Sequence, residues 1–210
     1  MNGRQAGEYC SVSIPDPVKE ADVTEHRTDT DVIDELTSDH HEALELLHRI
    51  PAVTDPDQRR DLADTVISEI VRHSVAEEMY VYPAMREYVP NGEQVVEHDT
   101  EEHQQLEEIM KQLEGMAASE PRFDALIGEL TEKLRHHAHD EETEQFPQLR
   151  QYAPREELVK LREKVDRAKK LAPTRPHPGA PHNELFHKTV GPGVGLVDRL
   201  RDKLTDQTRT

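Results

Sequence analysis

The sequence predicts an all-α protein, an antiparallel up-down-up-down four-helix bundle with a C-terminal helical extension and flexible tails. Three observations carry this expectation. Apolar residues recur at spacings of three and four along four long segments, the period of a helix and not of a strand. Glycine is scarce, Glu, Leu, Lys, Arg and Ala are plentiful, and no stretch alternates apolar and polar residues with β-branched enrichment. The segments are joined by short connections, which makes neighbours pack antiparallel.

Residues 1–30 mix Pro, Asp, Ser, Thr and Glu without periodicity and read as a flexible acidic leader. The first helix is expected from about Asp31 to Arg49, stopping at Pro51, with Ile33, Leu36, His40, Ala43, Leu44, Leu47 and Ile50 on its apolar stripe. The second begins after Thr54-Asp-Pro-Asp and carries Leu62, Val66, Ile70, His73, Glu77, Tyr80 and Ala84 on one face, with a kink expected at Pro83. Pro90-Asn-Gly makes a tight turn, and a third helix over about 93–118 presents Val96, Asp99, His103, Leu106, Met110 and Leu113. After Glu120-Pro121 the fourth presents Leu126, Leu130, Leu134, His137, Glu141, Glu144 and Gln148. The bundle thus spans 31–152, an extra charged helix 153–172, and a Pro/Gly-rich tail 173–210. Leu196, Val197, Leu200 and Leu204 in that tail suit a short amphipathic helix, docked back on the bundle or offered to a protein partner.

The net charge of −18 argues against nucleic acid and anionic membrane surfaces, which are bound through clustered Lys and Arg. A single cysteine, Cys10, allows neither an internal disulfide nor a thiolate metal site. No apolar run approaches the roughly 20 residues that span a bilayer, and there is no apolar signal segment, so the cytoplasm is the expected location. Trp is absent and aromatics make up 4% of the chain, which leaves the core aliphatic. Histidine is in excess, with 13 residues, most of them in the middle of the chain.

Those histidines fall in a duplicated pattern. At an offset of 64, His73-Ser-Val-Ala-Glu77-Glu78 lies on His137-Ala-His-Asp-Glu141-Glu142, and Pro83, Arg86, Tyr88 and Pro90 lie on Pro147, Arg150, Tyr152 and Pro154. At an offset of 63, residues 32–40 lie on 95–103, which places His40 on His103. A helix advances 100° per residue, so His73 and Glu77, like His137 and Glu141, stand on adjacent turns of one face and can reach one ion. Four stripe histidines and two stripe glutamates buried without partners would cost several kcal/mol for the carboxylates alone. Metal is the simplest partner. The set suits two borderline divalent ions, each taking two imidazoles, with Glu77 and Glu141 each able to bridge both.

Asp39-His40, His73-x3-Glu77, Glu102-His103 and His137-x3-Glu141 together resemble the hemerythrin-like, or HHE cation-binding, proteins over about residues 31–152. The segment from Arg175-Pro-His-Pro through 191–202 resembles the C-terminus of actinobacterial members. The resemblance implies that His40, His73, Glu77, His103, His137 and Glu141 ligate two iron ions in an oxo- or hydroxo-bridged di-iron centre. Two departures stand out. Oxygen carriers of the family have a further histidine four before the one matched by His103; here Asp99 holds that place and His98 lies five before, so either is a candidate additional ligand, His98 only if its helix bulges. The carriers also place an Asp one residue beyond Glu141, where this chain has Glu142. Tyr80 and Glu144, one turn past the acids, are candidates to orient imidazoles or to supply protons. His41, His48, His136 and His139 lie off the stripes and are expected to face solvent.

Two functions follow from the resemblance, with no catalytic residue assigned. One is an enzyme disproportionating peroxide in a catalase-like way, in peroxide defence. The other is a sensor or store for oxygen, nitric oxide or iron without turnover. A structural zinc bundle is a third, more distant reading.

Overall fold

The computed structural model describes residues 30–176, which are helical without a strand. The leader, Cys10 and the helix expected over 196–204 lie outside the described residues. Helix α1, Val32–Arg49, starts from a reciprocal cap. Asp31 Oδ1 accepts from the Ile33 and Asp34 N–H groups at 2.9 and 3.3 Å, and Asp34 Oδ2 accepts from the Asp31 N–H at 2.9 Å. A short 3-10 turn at Ile50–Ala52 leads into α2, Pro56–Ala76, where Asp55 caps and Pro56 occupies the first position, at which a missing N–H is no loss.

Beyond Ala76 the rod does not break. It widens into a π turn, Glu77–Val81, and continues as α3, Tyr82–Tyr88. In an α-helix residue 83 would donate to the Met79 carbonyl, but proline has no N–H and its ring crowds that oxygen. The ladder therefore slips one residue earlier, with the Tyr82 N–H bonding the Glu77 carbonyl five residues back. Pro147 has the same effect on the fourth rod. Helix α5, Phe123–Asp140, passes through a second π turn, Glu141–Gln145, into α6, Phe146–Tyr152, with the Phe146 N–H bonding the Glu141 carbonyl. The kink expected at Pro83 is thus a π turn, and it occurs twice.

Each π turn adds one residue and rotates everything downstream by about 100°. The stripes expected beyond the two glutamates shift accordingly. Tyr82 and Met85 are buried on the first rod while Tyr80 is only half-buried, and Gln145, Phe146 and Leu149 are buried on the second while Glu144 is exposed.

Between the rods, Asn91 takes φ 62° and a Cβ at Gly92 would stand 2.1 Å from the Met85 carbonyl oxygen, so this turn requires glycine. Helix α4, Gly92–Leu113, ends sooner than expected. Four rods result: α1, α2 with α3, α4, and α5 with α6. A fifth helix, α7, Arg155–Leu171, packs on α1, α2 and the first π turn, adding Leu158, Leu161, Val165 and Ala168 to the one aliphatic core. Arg150 on α6 closes the base by donating to Asp31 and Asp34 at 2.7 and 2.8 Å.

Candidate metal centre

The helical stripes bring all six expected residues to one point in the bundle. His40, His73, Glu77, His103, His137 and Glu141 are all buried. The Nε2 atoms face inward in two pairs, His40 to His73 at 3.0 Å and His103 to His137 at 3.3 Å. Each glutamate serves both pairs. Glu77 Oε2 lies 3.2 Å from His73 Nε2 and 3.4 Å from His103 Nε2, and Glu141 Oε2 lies 3.2 Å from His40 Nε2 and 3.6 Å from His137 Nε2. The set resolves into two overlapping groups, His40, His73, Glu77 and Glu141, and Glu77, His103 and His137, whose ligand atoms lie within 4.8 Å of one another.

The outward nitrogens are as ordered as the inward ones. His73 Nδ1 meets Asp39 and His137 Nδ1 meets Glu102, both at 3.0 Å, while His40 Nδ1 meets Glu142 at 2.9 Å and His103 Nδ1 meets Glu78 at 3.0 Å. A carboxylate on Nδ1 holds the proton there and turns the Nε2 lone pair toward the centre, the arrangement metal-binding imidazoles use. Sequence reasoning did not assign this role to Asp39, Glu78, Glu102 and Glu142. The signal was present in the repeated Asp/Glu-His and Glu-Glu dyads, each of which places an acid next to a central residue.

The inner carboxylates are where a cation fits. Glu77 Oε1 and Oε2 and Glu141 Oε2 are buried with no hydrogen-bond partner among the described residues. Burial pushes the Glu77 carboxyl up, but the charges of His73 and His103 hold it well below the usual carboxylate range. Burial likewise opposes a charge on His73, yet Glu77 and Asp39 push it up to about 10. The same balance raises His103, through Glu77 and Glu78, and His40, through Glu141 and Glu142. Protons here do what a divalent ion does better, since one ion satisfies several lone pairs at once.

One end of the centre breaks the symmetry. Toward α1's C-terminal half the centre meets an aliphatic layer of Ala43, Ile70, Leu106 and Leu134, all buried. Toward the π turns it meets Tyr82, whose Oη lies 3.1 Å from His103 Nε2, and Asp99, whose Oδ1 accepts from Gln145 Nε2 at 2.8 Å. Asp99 Oδ2 is buried without a hydrogen-bond partner among the described residues, and burial followed by the charge of Glu141 pushes its carboxyl up to about 7. Burial, then Glu77 and Asp99, raises the Tyr82 phenol.

Of the two candidates for an additional ligand, Asp99 is the one beside the centre. His98 is not brought in. Helix α4 is regular where a bulge would have been needed, and His98 is exposed, 3.6 Å from Glu102 Oε1 on the outside. Tyr80 and Glu144 are displaced by the π turns, and Tyr82, five residues after Glu77, takes the place expected of Tyr80. His41, His48, His136 and His139 are exposed, as their positions predict.

A cavity of about 50 Å³ between α1 and α2 reaches His40 and His73, lined also by aliphatic Ala43, Leu46, Ile70 and Leu134 and by the acids Asp39, Glu42 and Glu69. It is large enough for a few water-sized molecules.

Fold and donor set together define a helical-bundle protein with a near-symmetric His/Glu cation site. The sequence profile of the Hemerythrin HHE cation binding domain matches residues 31–149. The chain belongs to that family. An uncharacterised hemerythrin-like protein of Schizosaccharomyces pombe is 31% identical over 176 residues, 83% of this chain and 87% of that protein. A crystal structure of a hemerythrin HHE cation binding domain-containing protein from Mycobacterium kansasii superposes with a TM-score of 0.57 at 22% identity, covering 67% of this chain and 86% of that one, and so shares the fold. A DNA nickase of Nostoc is 22% identical over 124 residues, 59% of this chain but 35% of that protein. No helix among the described residues is long and apolar enough to cross a membrane.

Proposed function

We propose that the centre holds two iron ions, one on His40 and His73 and one on His103 and His137, bridged by Glu77 and Glu141, and that it disproportionates hydrogen peroxide. The observation that carries the reaction is the pairing of Tyr82 and Asp99 at one end of a centre that is otherwise symmetric. In disproportionation one peroxide gives up two electrons and two protons to become oxygen, and a second takes both to become two waters. Two bound irons would supply the electron relay by cycling between oxidation states. The chain must move the protons. Tyr82 carries one on an oxygen beside His103, and the free Oδ2 of Asp99 can accept or return one, while Gln145 holds the carboxyl in place through Oδ1.

The test is oxygen evolution from peroxide by the iron-loaded chain, followed with an oxygen electrode. No oxygen above the iron-free background removes the enzyme reading. The aliphatic part of the cavity wall, Ala43, Leu46, Ile70 and Leu134, favours a second reading, reversible binding of oxygen or nitric oxide without turnover. That reading gains if the loaded protein shows a ligand-dependent optical spectrum but no turnover. The nicking activity named for the Nostoc relative is not carried over, because a net charge of −18 disfavours a phosphate backbone.

A further inference from the structure

A second cluster of metal-ligating side chains lies outside the bundle, on the seam between α4 and α5. His98 and Glu102 are one turn apart on α4, and His136 and Asp140 are one turn apart on the facing stretch of α5. The spacing that builds the inner centre is thus repeated on the outer face as His-x3-Glu and His-x3-Asp. His98 Nε2 stands 3.6 Å from Glu102 Oε1, His136 Nε2 stands 3.7 Å from the same oxygen, and His136 Nδ1 stands 3.7 Å from Asp140 Oδ1. These separations exceed hydrogen-bond length. They are close to the roughly 3.4 Å between two donors that each lie about 2.1 Å from one tetrahedral ion. One ligand atom from each of His98, Glu102 and Asp140 falls within 4.8 Å of the others.

The opposite seam shows what this position needs. Asp39 is the counterpart of Glu102, and it carries a fixed cation: Lys169 of α7 donates to both its oxygens at 2.6 and 2.7 Å and to Glu35 at 3.1 Å. Helix α7 packs on α1 and α2, so no ammonium is delivered to Glu102. The counterpart of Glu35 is His98, and that of Arg72 is His136. Where one side has a lysine ammonium, the other has two imidazoles.

We propose that His98, Glu102 and Asp140, with His136 as the fourth donor after rotation of its exposed ring, form an outer site for one exchangeable divalent transition-metal cation. The two imidazoles with two carboxylates select a borderline ion such as Zn(II) or Co(II) over Ca(II) or Mg(II), which prefer all-oxygen shells. Glu102 links the two sites. Its Oε1 faces the outer cluster while Oε2 holds His137 Nδ1 at 3.0 Å. A cation on Oε1 draws charge from Oε2 and weakens the donation of His137 to an inner metal. The site does not depend on the inner metal being iron or on any turnover.

The test is a titration of the full chain, its inner centre already loaded, with Co(II) read by visible absorption and Zn(II) read by calorimetry. The wild type takes one further equivalent, and the double variant His98→Ala, Asp140→Ala binds it at least about tenfold more weakly, the smallest effect that loss of even a supporting contact has on metal affinity. Inner metal content stays unchanged in that variant, because both residues lie on the outer face. His136→Gln, a single exposed change, gives a smaller loss in the same direction. Equal affinity in wild type and double variant, or no further equivalent in the wild type, overturns the outer site. Saturating Zn(II) should also speed chelator extraction of the inner metal several-fold in the wild type and not in the double variant; an unchanged rate overturns the link through Glu102.

Discussion

The half of the bundle that runs from α1 to α3 and the half that runs from α4 to α6 build the same inner shell and different surroundings. His40 and His103, His73 and His137, Glu77 and Glu141 are equivalent, and so are their outward partners Asp39 and Glu102, Glu142 and Glu78. Even the π turns repeat, because Pro83 and Pro147 repeat. The halves part where the centre meets the next layer. Tyr82 stacks on His103 at 5.5 Å between ring centroids, and its counterpart Phe146 stacks on His40 at 6.0 Å. Asp99 and Gln145 replace Leu36 and Val81. Every inner donor is duplicated, whereas Tyr82 and Asp99 each occur once. On the proposed reading, what the halves share holds the metal pair, and what differs serves the reaction.

The largest effect should come from the shared set. His73→Ala and His137→Ala should both abolish metal uptake, measured as metal content of the purified chain, and Glu77→Gln and Glu141→Gln should lose it to similar extents. Retention in one half alone would break the symmetry. The differing set comes next. Tyr82→Phe should lower kcat for peroxide by about 10² with little change in KM, within the range of acid–base catalysis, and leave metal content intact. Phe146→Tyr should add little by itself, and partial rescue of Tyr82→Phe by that second change would show that either end can serve.

Smaller effects should separate the outward carboxylates. Asp39→Asn and Glu102→Gln should each weaken metal binding about 10- to 100-fold, as for other partners of metal-bound imidazoles, and Lys169→Met should cost less than either, in a competition titration. Equal losses for Lys169→Met and Asp39→Asn would mean that the ammonium, not the carboxylate, orients His73. The smallest effect concerns pH. His73 in the metal-free protein is pushed up to about 10, so its contribution to stability is fully present below the ordinary imidazole value and is lost as pH rises through about 10. Thermal melting of the metal-free chain should therefore fall across that window, and that of the loaded chain should stay flatter because metal has replaced the proton. Coincident curves would sink this account.

Much of the centre is legible in the sequence because helical geometry is local. The separation of His73 from Glu77 puts them on one face wherever the helix lies, and the 64-residue repeat announces a partner face. Tyr82 is not legible by the same rule. A regular helix selects Tyr80, three residues past Glu77, and only the π turn brings up the residue at five. Its warning sign, a proline at the same place in both copies, reads equally well as a kink. His98 does not reach the inner centre for a related reason: the ladder widens only where a proline forces it, and α4 has none.

The sequence by itself determined the all-helical bundle and the six residues that converge, since both follow from hydrogen-bond ladders and periodicity, and its motifs carry the resemblance to the family. Only the tertiary structure decided which acid meets which imidazole. Glu142 reaches His40 across 102 residues of chain and Glu102 reaches His137 across 35, contacts set by the depth and rotation at which antiparallel rods pack. The same packing laid α7 and its Lys169 on the α1–α2 seam and not on the α4–α5 seam.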